Sequence, residues 1–269
     1  MSDQFDNVPD GAEYHCEFYR GKDLTSAFDH GTLSARIADG TFRDIFPGDY
    51  IVKRVTVPAV ANTVTSTYEV KFIIADLDYA LHRGVGVEAH HAVIIPEEPV
   101  IRTFMNPTDT TSGGYAASYM NRTVMPAFAQ GISAAFGPSH ILKFNADGQS
   151  CLCRLMTLSM VFGWNNMLPP ATAESLSWQN VQIDECMQGS RFIAFLHNKD
   201  LELKNEGYYF LVNLPVKLKN GGYWVSDVYD STCFAYIEGL VCRGFGCHAC
   251  AYQASHDAYG GVRPFALLV

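Results

Sequence analysis

Apolar residues along this chain recur at two periods, and the change of period marks a change of element. Between residues 50 and 95 they come in short, dense runs. Tyr50–Val57 and the segment YEVKFIIADLD from Tyr68 to Asp78 predict two antiparallel strands joined by a polar loop, and Ala92–Ile95 predicts a third. Upstream, Asp23–Gly40 predicts a helix, because Leu33 and Ile37 lie one turn apart and Gly40 suits a C-cap. The intervening FRDIFPGDY, Phe42–Tyr50, reads as a turn feeding the first strand. After Pro107 the apolar period becomes four. Met120, Val124, Phe128, Ile132 and Phe136 form one stripe, so an amphipathic helix is predicted over Ser112–Gly137 with a bend at Pro126. Asp109, Thr110, Thr111 and Ser112 are its N-cap candidates.

Residues 140–220 carry weaker patterns. Trp178–Ile183, Arg191–Leu196 and Tyr208–Val212 predict short strands, and Met167–Thr172 and Lys199–Glu206 predict surface loops. Nearer the C-terminus, alternation over Cys233–Ile237 predicts another strand. The closing run Val262–Val269 is apolar enough to be buried. A buried strand must pair its amides and carbonyls, so Val262–Leu268 needs a partner from the N-terminal half. No repeat or low-complexity linker divides the chain. One domain is expected over residues 16–269, after a flexible lead-in at 1–15.

Composition narrows the function classes. A chain of 269 residues with 48% hydrophobic and 17% charged residues belongs with folded globular proteins. Its net charge of −9, with no basic patch, argues against nucleic acid as a partner. No segment has the apolar length of a membrane span. The N-terminus is acidic and polar rather than basic and then apolar, which predicts synthesis and folding in a cytoplasm. Eight cysteines in that setting read as thiols or ligands sooner than disulfides. The pair His90-His91 beside a strand reads as packed histidines, and Asp76 and Asp78 read as groups that hydrogen-bond loop backbone.

Residues 222–269 concentrate the unusual chemistry. Cys233, Cys242, Cys247 and Cys250 fall there with His248, His256 and many tyrosines, and no Lys follows Trp224. The spacing of Cys242, Cys247 and Cys250, C-x4-C-x2-C, is that of a ferredoxin cluster loop, but no fourth cysteine follows Cys250. Zinc on these thiolates with Cys233 or His248 is chemically reasonable, yet the usual paired C-x2-C units are not both present. Neither a cofactor nor a metal is expected.

Several segments, in order, resemble a family of uncharacterised domains from gut bacteria and their phages. They are FRDIFPGDY at Phe42–Tyr50, IADLDY at Ile74–Tyr79, HHAVIIP at His90–Pro96, MNPTDTTSGGY at Met105–Tyr115, AFGPSH at Ala135–His140, YWV at Tyr223–Val225 and GVRPF at Gly261–Phe265. The resemblance implies an α+β protein of C-type lectin fold, in its formylglycine-generating-enzyme-like branch. Two helices would pack on short antiparallel sheets, with N- and C-terminal strands paired. Trp164-Asn165-Asn166 is not the pattern of calcium-dependent sugar lectins, so glycan binding through calcium is not implied.

This family includes the variable proteins of diversity-generating retroelements, in which adenines of a template are randomised. Lys, Met, Trp, Gln and Glu are then out of reach at varied positions, and from Ser226 to Tyr259 only Glu238 and Gln253 belong to that unreachable set. The resemblance thus implies a variable ligand-binding region at about 223–261. Its expected exposed residues are Tyr229, Asp230, Cys233, Tyr236, Leu240, Cys242, Phe245, Cys247, His248, Cys250, Tyr252, His256 and Tyr259, while Trp224, Phe234 and Phe265 point inward. The implied partner is a protein or other macromolecule on a host cell surface, met by a phage or prophage protein at a virion tail beside other virion proteins. Two alternatives stand beside it: a copper oxidase of formylglycine-generating type using Cys242 and Cys247, and a structural virion protein without variable binding.

Overall fold

The structure, a computed structural model, describes residues 10–16, 18–162, 192, 222–239, 247–256 and 260–269. It is a mixed α+β protein with short helices and mainly antiparallel sheets. The three strands expected from the dense apolar runs are present as β1 (Tyr50–Val57), β2 (Ser66–Leu77) and β3 (Ala92–Pro96), paired as an antiparallel meander. The first sheet is completed by β12 (Pro264–Leu268) and β7 (Cys153–Leu155), in the order β1-β2-β3-β12-β7. The C-terminal strand does pair with the N-terminal half, through Ala266–Leu268 on Ile94–Ala92. Its partner is β3 and not the first strand, because the meander puts two strands between β1 and β12.

The closing run is also broken where one strand was expected. Gly261–Val262 forms β11 in a second sheet, Arg263 carries the crossing, and β12 continues in the first. That second sheet runs β10 (Cys247–Gln253), β9 (Cys233–Gly239), β8 (Tyr223–Val228), β11, β4 (Ile101–Arg102). A small hairpin, β5 (Phe144–Ala146) with β6 (Gln149–Cys151), stands apart. Strand β12 is apolar throughout because both its faces are covered. Phe265 and Leu267 face the second sheet's Tyr223, Val225, Ala235 and Ile237, whereas Ala266 and Leu268 join the helix-side core.

The helices are shorter than the sequence pattern predicts. The stretch 23–40 makes two, α2 (Thr25–Asp29) and α3 (Thr32–Ala38), because Gly31 between them sits at φ 73°, a left-handed turn that glycine adopts without steric cost. The long helix expected over 112–137 is also divided. After α4 (Gly114–Ala117), Ser118 turns extended, Met120–Val124 forms a wide π-helical turn, and α5 (Met125–Phe136) follows with Pro126 in its first turn. The apolar stripe itself is correct: Met120, Val124, Phe128, Ile132 and Phe136 are all buried. Within the expected lead-in, Ala12–His15 forms the helical turn α1. His15 is buried, donates from Nδ1 to the Ile45 carbonyl at 2.9 Å and stacks on Phe46.

The FRDIFPGDY turn owes its shape to one carboxylate. Asp49 is 0% exposed and accepts from Arg20 Nε and Nη2 and from the backbone amides of Gly21, Lys22 and Phe46. A buried charge is tolerable only when paired and bonded in this way. Among the described residues, no helix is long and apolar enough to cross a membrane. The strands expected at 178–183, 191–196 and 208–212, and the loops at 167–172 and 199–206, lie outside the described residues, apart from Phe192.

Candidate ligand-binding surface

Three loop segments meet at one end of the second sheet. The first, Met105–Thr111, is folded on Asn106, whose Nδ2 donates to the Thr110 carbonyl at 2.6 Å and whose Oδ1 accepts the Tyr119 amide. The second is the turn from β8 to β9. Asp230 there accepts the amides of Thr232 (2.7 Å) and Cys233 (2.8 Å) and the Thr232 hydroxyl. Such a carboxylate stands in for backbone acceptors and fixes the turn. The third follows β10, at Ala254–His256.

Cross-ties bind the three together. The Thr111 amide and hydroxyl donate to the carbonyls of Ser231 and Asp230, at 3.0 and 2.6 Å. The Ala254 carbonyl accepts the amides of Met105 and Asn106, and the Ala254 amide donates to Thr232. Asp109 Oδ1 accepts both the amide and the hydroxyl of Ser255, the latter at 2.6 Å. Asp109 and Thr111 are therefore loop ties and not helix caps. The N-cap of α4 is Gly113, with no side-chain cap bond.

On this braced end sit five of the expected binding residues. Tyr229, Cys233, Tyr252 and His256 are half-buried and Asp230 is exposed. The Tyr252 and His256 rings stack, with centroids 5.2 Å apart and planes 12° from parallel. Behind them the rings continue inward: Tyr252 meets Tyr236 edge-on at 4.9 Å, and Tyr236 meets Trp224 edge-on at 5.2 Å. Trp224 is anchored by its Nε1–H to the Thr103 carbonyl at 2.8 Å.

Tyr236 corrects the sequence reading. It was expected on the exposed face and is 1% exposed, inside the helix-side core with Trp224 and Phe234. Alternation along β9 assumes one wet face, and this strand has none over 234–237: Ala235 and Ile237 are equally buried against the first sheet. Trp224, Phe234 and Phe265, expected inward, are each 0% exposed. Cys233, an odd number of residues from Tyr236, lies on the other face of β9. Cys247, His248 and Cys250 fall on β10, their backbones paired with Gly239, Glu238 and Tyr236. Leu240, Cys242, Phe245 and Tyr259 lie outside the described residues.

The electrostatics are those of an uncharged thiol beside a stable carboxylate. Burial pushes the Cys233 thiol up, and Asp230 and Asp109 add to the shift against a hydroxyl bond from Thr232. Burial alone would raise Asp230, but the bonds from Thr232 and Cys233 outweigh it and hold the carboxyl below its usual range. Elsewhere burial pushes Cys16 up to about 12 and Cys153 higher still, so these are protonated thiols in a packed interior. Among the described residues no three His, Cys, Asp or Glu side chains gather in a way that could hold a metal ion.

Of the histidine pair, His91 is packed and bonded to backbone, as expected, whereas His90 is part-exposed and paired with the Asp78 carboxylate. The Ala80 amide donates to His91 Nε2 at 3.0 Å and His91 Nδ1–H donates to the Ala89 carbonyl, while Asp78 accepts from His90 Nδ1 and from the His91 amide. Comparisons with protein families, curated proteins and solved structures find no match to this chain.

Proposed function

We propose that this chain is a variable ligand-binding protein of a phage or prophage diversity-generating retroelement, displaying diversified residues on a C-type lectin scaffold. Its ligand is a protein or other macromolecule on a host cell surface, reached from a tail-associated position, and no cofactor takes part. The observation that carries the reading is the convergence of Tyr229, Asp230 and His256, with Cys233 at the start of β9 and Tyr252 near the end of β10, on one sheet end whose loops are tied mainly through main-chain atoms. Ties of that kind survive a change of most side chains above them, which is what a diversified surface requires. Tyrosines supply large contact area at low entropic cost, and binding energy in such surfaces concentrates on a few aromatic anchors. Tyr236 belongs to the scaffold in this account, as the ring on which Tyr252 rests.

The deciding experiment is genetic. Sequencing downstream of the coding region is expected to find a near-copy of the codons for about residues 223–261 with adenines where this copy varies, next to a reverse transcriptase. A locus with neither feature, in a chain whose purified form binds stoichiometric copper lost on Cys242→Ser, would replace this reading with the oxidase.

A further inference from the structure

A second site lies away from those loops, between the outer face of α5 and the β5–β6 hairpin. There a cavity of about 600 Å³ opens to solvent, within the range of about 300–1,000 Å³ typical of small-molecule sites. It exists because α5 presents Pro126, Ala129, Ser133 and Ala134 outward at helical spacing, and none of them is large enough to fill the space before the hairpin. Met125, Cys151, Leu152 and Cys153 form an apolar floor. The rim is polar, and its single charge is positive. Gln130, Lys143, Gln149 and Ser150 are exposed, all can donate hydrogen bonds, and none of these side chains has a hydrogen-bond partner among the described residues. Lys143 is the one charged residue among the described lining, and no described carboxylate faces it across the cavity.

We infer that this cavity binds a small amphipathic carboxylate, with its head on Lys143 and the rim amides and its apolar body on Met125 and Leu152. Charge selects the class. An ammonium at the rim with no internal counter-ion attracts an anion, whereas a neutral molecule of equal size gains only the floor. A cation would meet an unpaired lysine. The two cysteines do not compete for the role of head-group ligand, because Cys153 is a buried, protonated thiol whose Sγ–H donates to the Met125 carbonyl.

Calorimetric titration of the full chain with octanoate, 1-octanol and octylammonium tests this. One octanoate per chain is expected, bound about tenfold or more tighter than 1-octanol, with no octylammonium binding. Lys143→Glu, at an exposed position, is expected to reverse the preference between octanoate and octylammonium. Ala134→Trp, also exposed, is expected to abolish octanoate binding while the thermal melt is unchanged. The inference is overturned if octanoate does not bind, if 1-octanol binds as tightly, or if octanoate binding is unchanged by either substitution.

Discussion

Replacing Tyr236 by alanine separates scaffold from display. The ring is 1% exposed and makes edge-to-face contacts with Trp224 at 5.2 Å and Tyr252 at 4.9 Å. Truncating a large buried aromatic removes its transfer free energy and leaves a cavity, together about 3–5 kcal/mol. The two ring pairs account for about 1–3 kcal/mol of that, at roughly 0.5–1.5 each. Gly222 stands close beneath, so the void is roofed by backbone that collapses poorly: a Cβ there would meet Tyr236 Cε1 at 2.5 Å and the Ile237 carbonyl at 1.9 Å. The upper half of the range is therefore expected, a large part of the roughly 5–15 kcal/mol that holds a domain folded. Tyr229→Ser, at a half-exposed position on the same sheet end, is expected to stay within about 1 kcal/mol of the parent. Urea denaturation followed by far-UV circular dichroism, with the slope required to be equal among the three proteins, measures both. A Tyr236→Ala loss below about 1 kcal/mol, or a Tyr229→Ser loss as large as that of Tyr236→Ala, would refute the division.

Acid should destabilise the protein from about pH 6.5, the ordinary imidazole value, downward. Burial lowers the His91 pKa, and its Nε2 lone pair is occupied by the Ala80 amide, so the folded state binds its proton later than the unfolded chain. The stability it contributes is complete above the unfolded value and is lost as pH falls through the folded one; His91→Gln should flatten this part of a pH–melting profile. A second loss belongs below about pH 4, where Asp44, Asp23 and Asp230 must protonate. All three carboxyls are held low in the folded state, Asp44 by Lys22 and Arg20, Asp23 by Thr25, and Asp230 by Thr232 and Cys233. Gly261→Ala should cost about 1–3 kcal/mol as an overpacking change, since the new Cβ would lie 2.3 Å from the Gly222 carbonyl; chemical denaturation reads it directly. Ending the chain at Gly261 removes a strand flanked on both sides by β3 and β7, and should leave no cooperative melt.

What the sequence disclosed depended on whether the cause was local. Strands β1, β2 and β3 are visible because dense apolar runs between turns have few other uses, and β12 because both its faces are covered. The stripe from Met120 to Phe136 revealed which residues are buried but not the π-helical turn within it, since a wide turn keeps the same side inward. Tyr236 was misread for a tertiary reason: period-two alternation identifies two faces and not which is wet, and here the first sheet and the helices cover both. The loop ties were invisible for the same reason. Asp109 meets Ser255 across 146 residues and Thr111 meets Asp230 across 119, and no window of sequence contains either pair.

The same long-range ties bear on how a varied segment could be carried at all. Tyr223 pairs in parallel with Gly261, so the segment proposed as variable begins and ends at adjacent points of the second sheet. Gly261 permits that approach by lacking a side chain, since a Cβ there would lie 2.3 Å from the Gly222 carbonyl. After this closure the chain is held by strands outside the segment: Gly261–Val262 by β4, and Pro264–Ala266 by β7. A segment whose ends are paired to each other confines the consequences of substitution, because a change within it alters packing on its own strands without moving the anchoring ones. The confinement is incomplete where a segment residue also serves the core, as at Trp224, Phe234 and Tyr236. Two of those three, Phe234 and Tyr236, are residue types that adenine randomisation can produce, so the codon argument alone does not separate display positions from scaffold. Burial does. On the proposed reading, a set of natural variants should keep an aromatic at Tyr236 while Tyr229, Cys233, Tyr252 and His256 change freely. A set in which Tyr236 varied as widely as Tyr229, with folding retained, would remove the scaffold assignment.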